Sequence, residues 1–461
     1  MTPTVLVLLG LASVLVILGL IIKGRTHPFL ALLFVATALA LVAGIPLDEI
    51  VPLLKDGMGA TLGGVALIVT LGAMLGRIVE VSGGAEVLAR KLGDAFGEKR
   101  APWALGAASF LFGIPVFVDV ATIVLVPIVL AVARRMPGSK VNMLAYALPT
   151  VAALLTVHVV LPPHPGIVGA SEMIGADVGL VLLIGLVPAL VMWLVGQVLS
   201  GVVAKRVFSP VPGLGSAPAG TTSSDHDELR DTGKEPSVAL VLAAIVLPLL
   251  LIMGGTVSAL TLPKGNGVRS FLGFVGDSPM ALFIGVVFAI VTLGFARGWN
   301  AKRVEDVVSS ALPATAAVIL ITGAGGTFGA VLRETGVAKA VADLLISTGL
   351  PVLLLAWLLA AFIRAAQGSA TVAALTTAPL VAPMIATLGL NPAQIALLTV
   401  TVGAGSMAFS HVNDSLFWVW SRYYQVSTVD ALKSYSLVTT VMSVVGLVVA
   451  SLLWLVLGVA A

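Results

Sequence analysis

Apolar runs of about 20 residues recur from one end of this chain to the other, and no other feature narrows the fold so far. A helix of that length crosses a hydrocarbon core about 30 Å thick. Of the 461 residues, 59% are hydrophobic and only 10% charged. An ordinary soluble domain carries roughly 25% charged residues and would need them to cover its surface. The first run, 4–22, has no basic residue before it and no small-residue cleavage site after it, so it reads as a transmembrane helix and not as a signal peptide. The net charge of +3 comes from basic residues at the ends of apolar runs. That pattern is membrane orientation, not a nucleic-acid surface. With no cysteine there are no disulfides, thiolate metal sites or thiol chemistry. The 49 glycines and 25 prolines suit close helix packing and broken helices.

Ten full crossings are expected, at 4–22, 28–45, 57–80, 142–177, 178–203, 237–262, 278–297, 311–332, 391–427 and 435–459. Two of them, 142–177 and 391–427, are too long and too polar at the centre to be simple helices. Basic flanks orient the set. Lys23 and Arg25 fall in the cytoplasm, the acidic loop of Asp48, Glu49 and Asp56 outside, and Arg90, Lys91, Lys99 and Arg100 inside. Arg134, Arg135 and Lys140 are also basic, so both flanks of 102–133 lie inside. That stretch is expected to be a re-entrant hairpin of two half-length helices, its tip allowed at membrane depth only where protein or water surrounds it. Lys205, Arg206, Arg230, Lys234, Arg297, Lys302 and Arg303 follow inside, whereas Lys264 and Arg269 fall outside, against the rule. The segment 204–236, rich in Gly, Ser, Pro and charge, reads as a flexible cytoplasmic linker.

The linker separates two related halves, 1–203 and 237–461. Gly72, Gly76, Gly83 and Leu92 align with Gly325, Gly329, Gly336 and Leu345 at a constant offset. Glycine spacing alone is a weak signal, because it is common at helix contacts. The shared order of the later elements strengthens it. Each half continues with a hairpin (102–133; 351–389) carrying a proline near its end, at Pro127 and Pro379. Each hairpin leads into an Asn-led helix, from Asn142 and from Asn391, interrupted by LPPHPG (161–166) or FSHVND (409–414). Five crossings and one hairpin per half is an odd count, so the second half is inverted. Inverted repeats with discontinuous helices are the organisation of secondary transporters, with the site at the repeat interface.

Two hairpin tips and two helix breaks are thus expected to converge. In the first tip, FGIPVFVDVAT (112–122), Asp119 has no basic neighbour in sequence. A carboxylate at membrane depth is costly and so a functional candidate, and the same cost favours its protonated form and a role as proton carrier. In the second tip, RAAQGSATVAA (364–374), Gly368 permits a tight turn. Ser369 and Thr371 offer hydroxyls and backbone N–H groups at a helix start, which attracts anions. Arg364 could pair with an anion or anchor the hairpin. Pro162, Pro163 and Pro165 stop the first broken helix and set His164 beside a new helix start, with His158 upstream. The second break supplies His411, Asn413 and Asp414, suited to hydroxyls, and an Asn or Asp there can cap the second half-helix. No ligand spacing of a zinc enzyme, no GxxxxGK[ST] and no GxSxG occurs, so no metal, cofactor, internal ATPase or serine hydrolase is expected.

At LPPHPG (161–166), GSATVAA (368–374) and FSHVND (409–414), together with GATLGGVALIVTLGAMLG (59–76), the chain resembles the gluconate permease family, the gluconate:proton symporters of the larger ion-transporter superfamily. The resemblance spans nearly the whole chain. It implies a bacterial inner-membrane protein that takes up gluconate or a related sugar acid with protons. It also implies re-entrant hairpins, a homodimer and elevator-like motion. On that footing the substrate carboxylate is expected near Ser369 and Thr371 beside Gly368. Its hydroxyls are expected near His164, His411, Asn413 and Asp414, with the proton on Asp119 or, second, His164. Two positions depart from the family pattern, which carries Glu at Asp119 and Pro at Ser415. A transporter of D-glycerate, D-serine or another small hydroxy acid would share this fold. A membrane sensor or enzyme would need a signalling domain or nucleophile that the chain does not display.

Overall fold

The computed structural model describes residues 1–96, 100–135, 141–212, 235–347 and 349–459. Among the described residues the regular structure is helical, apart from an isolated bridge between Asn142 and Pro210. The chain begins with α1 (Pro3–Ile22), α2 (Pro28–Ala43) and α3 (Leu47–Val81). It continues through α4 (Gly84–Phe96), α5 (Ala101–Gly113), α6 (Val118–Arg135), α7 (Leu144–Val160), α8 (Pro165–Ile174) and α9 (Val178–Ala204). After the segment between the halves come α10 (Val238–Thr261), α11 (Gly267–Val275) and α12 (Ser278–Ala289), the last prolonged by a π turn and a 3-10 turn to Arg297. Then follow α13 (Ala301–Ser309), α14 (Leu312–Glu334), α15 (Val337–Ser347), α16 (Val352–Gln367) and α17 (Ala370–Leu388). The chain closes with α18 (Pro392–Gly405), α19 (Ser415–Tyr423), α20 (Thr428–Ala431) and, after a π turn, α21 (Leu437–Val459).

Among the described residues nine helices are long and apolar enough to cross a membrane. The difference from the expected ten has local causes. Pro28 begins α2 and the turn at Gly44 ends it after 16 residues, too short to count as a full crossing. The stretch 391–427 divides into α18 and α19, of 14 and 9 residues. Conversely α17, expected as a hairpin arm, has 19 apolar residues and is long enough to cross. The acidic stretch at Asp48, Glu49 and Asp56, expected as a loop, is the beginning of the 35-residue α3. Asp48 and Glu49 occupy its first turn, where the partial positive charge of the helix start favours acids. The last apolar run likewise begins earlier than expected, at Thr428.

The most extensive helix contact among the described residues, between α3 and α14, joins the two halves. The two helices meet closely at Gly326, where a side chain would overlap that of Thr61. Thr327 Oγ1 donates to the Leu54 carbonyl across the same contact, at 3.2 Å. Such small-residue crossings let helices meet through dispersion where lipid removes the hydrophobic drive. Toward the other end of the same helix pair lies a buried ion pair that no sequence motif marks. Arg77 Nη1 meets Glu80 Oε1 at 2.6 Å, and Arg77 Nε donates to Ser310 Oγ, just before α14, at 2.8 Å. Of the other elements, α8 packs on α3 and α17 on α14 and both on each other, while α5 packs against α7, α16 against α18, and α9 against α7, α18 and α21.

Of the expected linker, residues 213–234 lie outside the described residues. The described start of it is tied back to the membrane helices. Asn142 Nδ2 donates to the carbonyls of Ala204 and Val207, at 2.6 and 2.7 Å. Met143 N–H donates to the Ser209 carbonyl at 2.8 Å. The end of α9 and the beginning of α7 are therefore one hydrogen-bonded unit.

Candidate functional site

Four interruptions of helical backbone create the site. Between α5 and α6, Gly113–Ile114–Pro115 ends one helix and Val118 begins the next, so Asp119 falls in the first turn of α6. Between α16 and α17, Gly368 adopts φ +88°, closing α16 by a hydrogen bond from its N–H to the Arg364 carbonyl. Only glycine takes that conformation without strain, and a Cβ there would also run into the Asn413 carbonyl. Ser369 then caps α17, its Oγ accepting from Val372 N–H at 3.4 Å. Between α7 and α8 the prolines hold residues 161–164 out of helix. Between α18 and α19 the chain runs through turns to Asp414, whose Oδ1 accepts from Leu416 N–H at 3.0 Å and caps α19.

A cavity of about 300 Å³ opens between these breaks. Its polar wall is Asp119, His158, Arg364, Ser369, Thr371, Asp414 and Ser415, and its apolar wall includes Phe117, Leu155 and Ile321. Three helices, α6, α17 and α19, begin at its edge. Their first N–H groups have no partners within the helix, which makes the wall electropositive there. Of the residues expected at the site, Asp119, Ser369, Thr371 and Asp414 line this cavity. His164, Gly368, His411 and Asn413 do not, and their contacts explain why.

His164 is 3% exposed and stands behind His158. Its Nε2 lies 2.8 Å from the Gly113 carbonyl, and its Nδ1 lies 3.3 Å from Nδ1 of His158. A carbonyl can only accept, so Nε2 of His164 carries a proton. In the neutral ring Nδ1 then accepts, and the proton between the rings belongs to His158 Nδ1. This leaves Nε2 of His158 as an acceptor on the residue that reaches the cavity. His164 thereby fastens the first helix break to the end of α5. His411 and Asn413 do the same for the second break. His411 Nε2 lies 3.1 Å from the Ala365 carbonyl, and Asn413 Nδ2 donates to that carbonyl at 2.8 Å.

Arg364 and His158 enter the wall although neither stood among the leading candidates. Arg364 is 2% exposed on an apolar helix, four residues before Gly368. It donates to the Gly368 carbonyl, to Ser410 Oγ at 2.8 Å and to Asp414 Oδ2, while its Nε has no hydrogen-bond partner. Ser410 and Tyr435 also donate to Asp414 Oδ2, Tyr435 at 3.3 Å. A buried guanidinium needs such a partner, and its presence in an apolar helix is a signal readable from sequence. Among the described lining residues the charged or titratable groups are therefore one guanidinium, two carboxyls and one imidazole.

This architecture agrees with solved transporters. The YdaH transporter of Alcanivorax borkumensis superposes with a TM-score of 0.59 at 15% identity, over 94% of this chain and 99% of that one. MtrF of Neisseria gonorrhoeae gives 0.55 at 15% identity, over 92% and 94%. At such identity the likeness concerns fold alone. Sequence relatives are much nearer. The inner membrane permease YgbN of Escherichia coli (strain K12) is 41% identical over 461 residues, covering 99% of this chain and 100% of the relative. A gluconate permease of Pseudomonas aeruginosa is 38% identical, covering 98% of each. The high-affinity gluconate transporter of E. coli (strain K12) is 36% identical, covering 97% and 98%. With nine helices among the described residues long and apolar enough to cross, the chain is a multi-pass protein of the bacterial inner membrane. The pattern of the GntP family permease matches residues 4–456, and the chain belongs to that family.

Proposed function

We propose that the chain is a secondary transporter that takes up gluconate or a related sugar acid together with protons. The observation that carries this reading is Arg364, a buried cation in a cavity where three helices begin and where Ser369 and Thr371 supply hydroxyls. Relatives named gluconate permease and gluconate transporter, similar over almost their whole length, supply the cargo. Helix starts facing an anionic group at a break between half-helices are a recurrent device of transporters.

In this reading the substrate carboxylate meets Arg364 and the N–H groups at the start of α17. Its hydroxyls meet Asp414, Thr371 and the Nε2 acceptor of His158, while Asp119 carries a proton inward. Gly368, His164, His411 and Asn413 act one step back, as fasteners of the wall. The segments 102–133 and 351–389 are re-entrant hairpins from opposite sides, and 1–203 and 237–461 are inverted repeats. The hairpin-bearing parts move as an elevator against the rest, in a homodimer.

Uptake of labelled gluconate into proteoliposomes with an imposed pH gradient, acid outside, tests the reading. Accumulation under the pH gradient and none under a sodium gradient is expected. Asp119→Asn should lower the pH-driven accumulation by about tenfold per pH unit, the effect of removing one coupled proton. Accumulation driven by sodium alone would overturn proton coupling, and full pH-driven accumulation by Asp119→Asn would remove Asp119 as carrier.

A further inference from the structure

We infer that the Arg364–Asp414 pair is a second proton site, so that two protons enter with each substrate anion and transport is electrogenic. The inference rests on the proton-coupled reading above and deepens it.

The argument is a charge count. Among the described residues the charged groups of the cavity wall are Arg364, Asp119 and Asp414, so with both carboxyls ionised the empty cavity carries −1. His158 and its partner His164 share one ring-to-ring proton as neutral imidazoles, and Tyr435 faces Asp414 as a neutral phenol. A hydroxy-acid anion raises the total to −2, beside the apolar surfaces of Phe117, Leu155 and Ile321. Uncompensated charge in such surroundings is expensive. One proton, on Asp119, restores only −1, and Arg364 remains committed to Asp414. A second proton, on Asp414 Oδ2, makes the loaded cavity neutral: two carboxylic acids and one ion pair between Arg364 and the substrate carboxylate.

The surroundings of Asp414 suit that exchange. Oδ1 is held by a backbone N–H that stays in place as the cap of α19, whereas the groups on Oδ2 are side chains that can turn away, so the proton goes to Oδ2. Oδ2 is met by Arg364, Ser410 and Tyr435, and the two hydroxyls lie 3.2 Å from each other. A hydroxyl can accept as readily as donate. Ser410 can therefore turn to accept from the protonated carboxyl when Arg364 leaves. Arg364 already has an unpartnered Nε. After release of the anion and both protons inward, the empty cavity returns with −1, which the inside-negative potential drives outward.

The test measures accumulation in proteoliposomes with pH and potential set independently, the potential by a valinomycin-clamped potassium gradient. At equal pH, accumulation should rise tenfold for each ~59 mV, inside negative, as one net charge requires. At zero potential it should rise about a hundredfold per pH unit, where a single coupled proton gives about tenfold. Asp414→Asn, which keeps an oxygen for the cap, should abolish the voltage response and leave about tenfold per pH unit. An absent voltage response in the wild-type protein, with pH-driven uptake intact, overturns the second proton but not proton coupling. A voltage response that survives in Asp414→Asn also overturns it. Uptake insensitive to pH at any potential overturns the underlying reading instead.

Discussion

Gly368 brings three requirements together at one residue: a left-handed turn, a hydrogen bond that closes α16, and contact with the Asn413 backbone. Its carbonyl also accepts from Arg364, so the turn and the cation hold one another. Alanine at this position takes the left-handed conformation at roughly 1–2 kcal/mol and must also push Asn413 away. Gly368→Ala is therefore expected to lower the melting temperature in detergent and to reduce gluconate uptake, because Arg364 loses its seat. A variant that melts and transports as the wild type would show that the turn tolerates a side chain. The buried Arg77–Glu80 pair obeys the same logic elsewhere: each ion is tolerable only because the other is there.

At the scale of elements, the breaks work in fastened pairs. His164 ties the first helix break to α5 through the Gly113 carbonyl, and His411 and Asn413 tie the second to α16 through the Ala365 carbonyl. The breaks themselves were legible in the sequence, because proline, glycine and, at FSHVND (409–414), a run of short polar residues interrupt helices for local reasons that need no tertiary knowledge. The partners of the breaks were not. Which histidine reaches the cavity depends on the turn of α7 relative to α6, and that is decided by packing. Thus His158 lines the wall and His164 stands behind it, although both were visible. Asp48 and Glu49 read as a loop for a related reason, since acids mark loops and helix starts alike. Removing both fasteners of the Ala365 carbonyl, as His411→Ala with Asn413→Ala, orphans a partly buried acceptor at a cost of about 1–3 kcal/mol. The double variant should melt earlier than either single one and show a raised KM for uptake, whereas each single variant keeps one bond and changes little. Equal melting of the double variant and the wild type would remove the fastening role.

For the whole molecule the decisive question is orientation, and basic flanks bear on it directly. The order α3–α4–hairpin–broken helix–long helix recurs as α14–α15–hairpin–broken helix–α21. An inverted second half requires the ends of the two hairpins to lie on opposite sides of the membrane. Lys264 and Arg269, on the outside by this count, are the residues that oppose it. Arg269 donates to the Leu262 carbonyl at 2.6 Å, so part of its charge is spent locally on the end of α10. The absence of native cysteine makes the test clean. Single cysteines at Arg100 and Arg134 should react with a membrane-impermeant maleimide only from the cytoplasmic side. Those at Leu350 and Leu390 should react only from outside, and those at Lys264 and Lys302 from outside and inside respectively. If the ends of both hairpins label from one side, the halves are parallel. The tips of α6 and α17 would then approach the cavity from the same face, and an alternating-access cycle built on their opposition would lose its geometric basis.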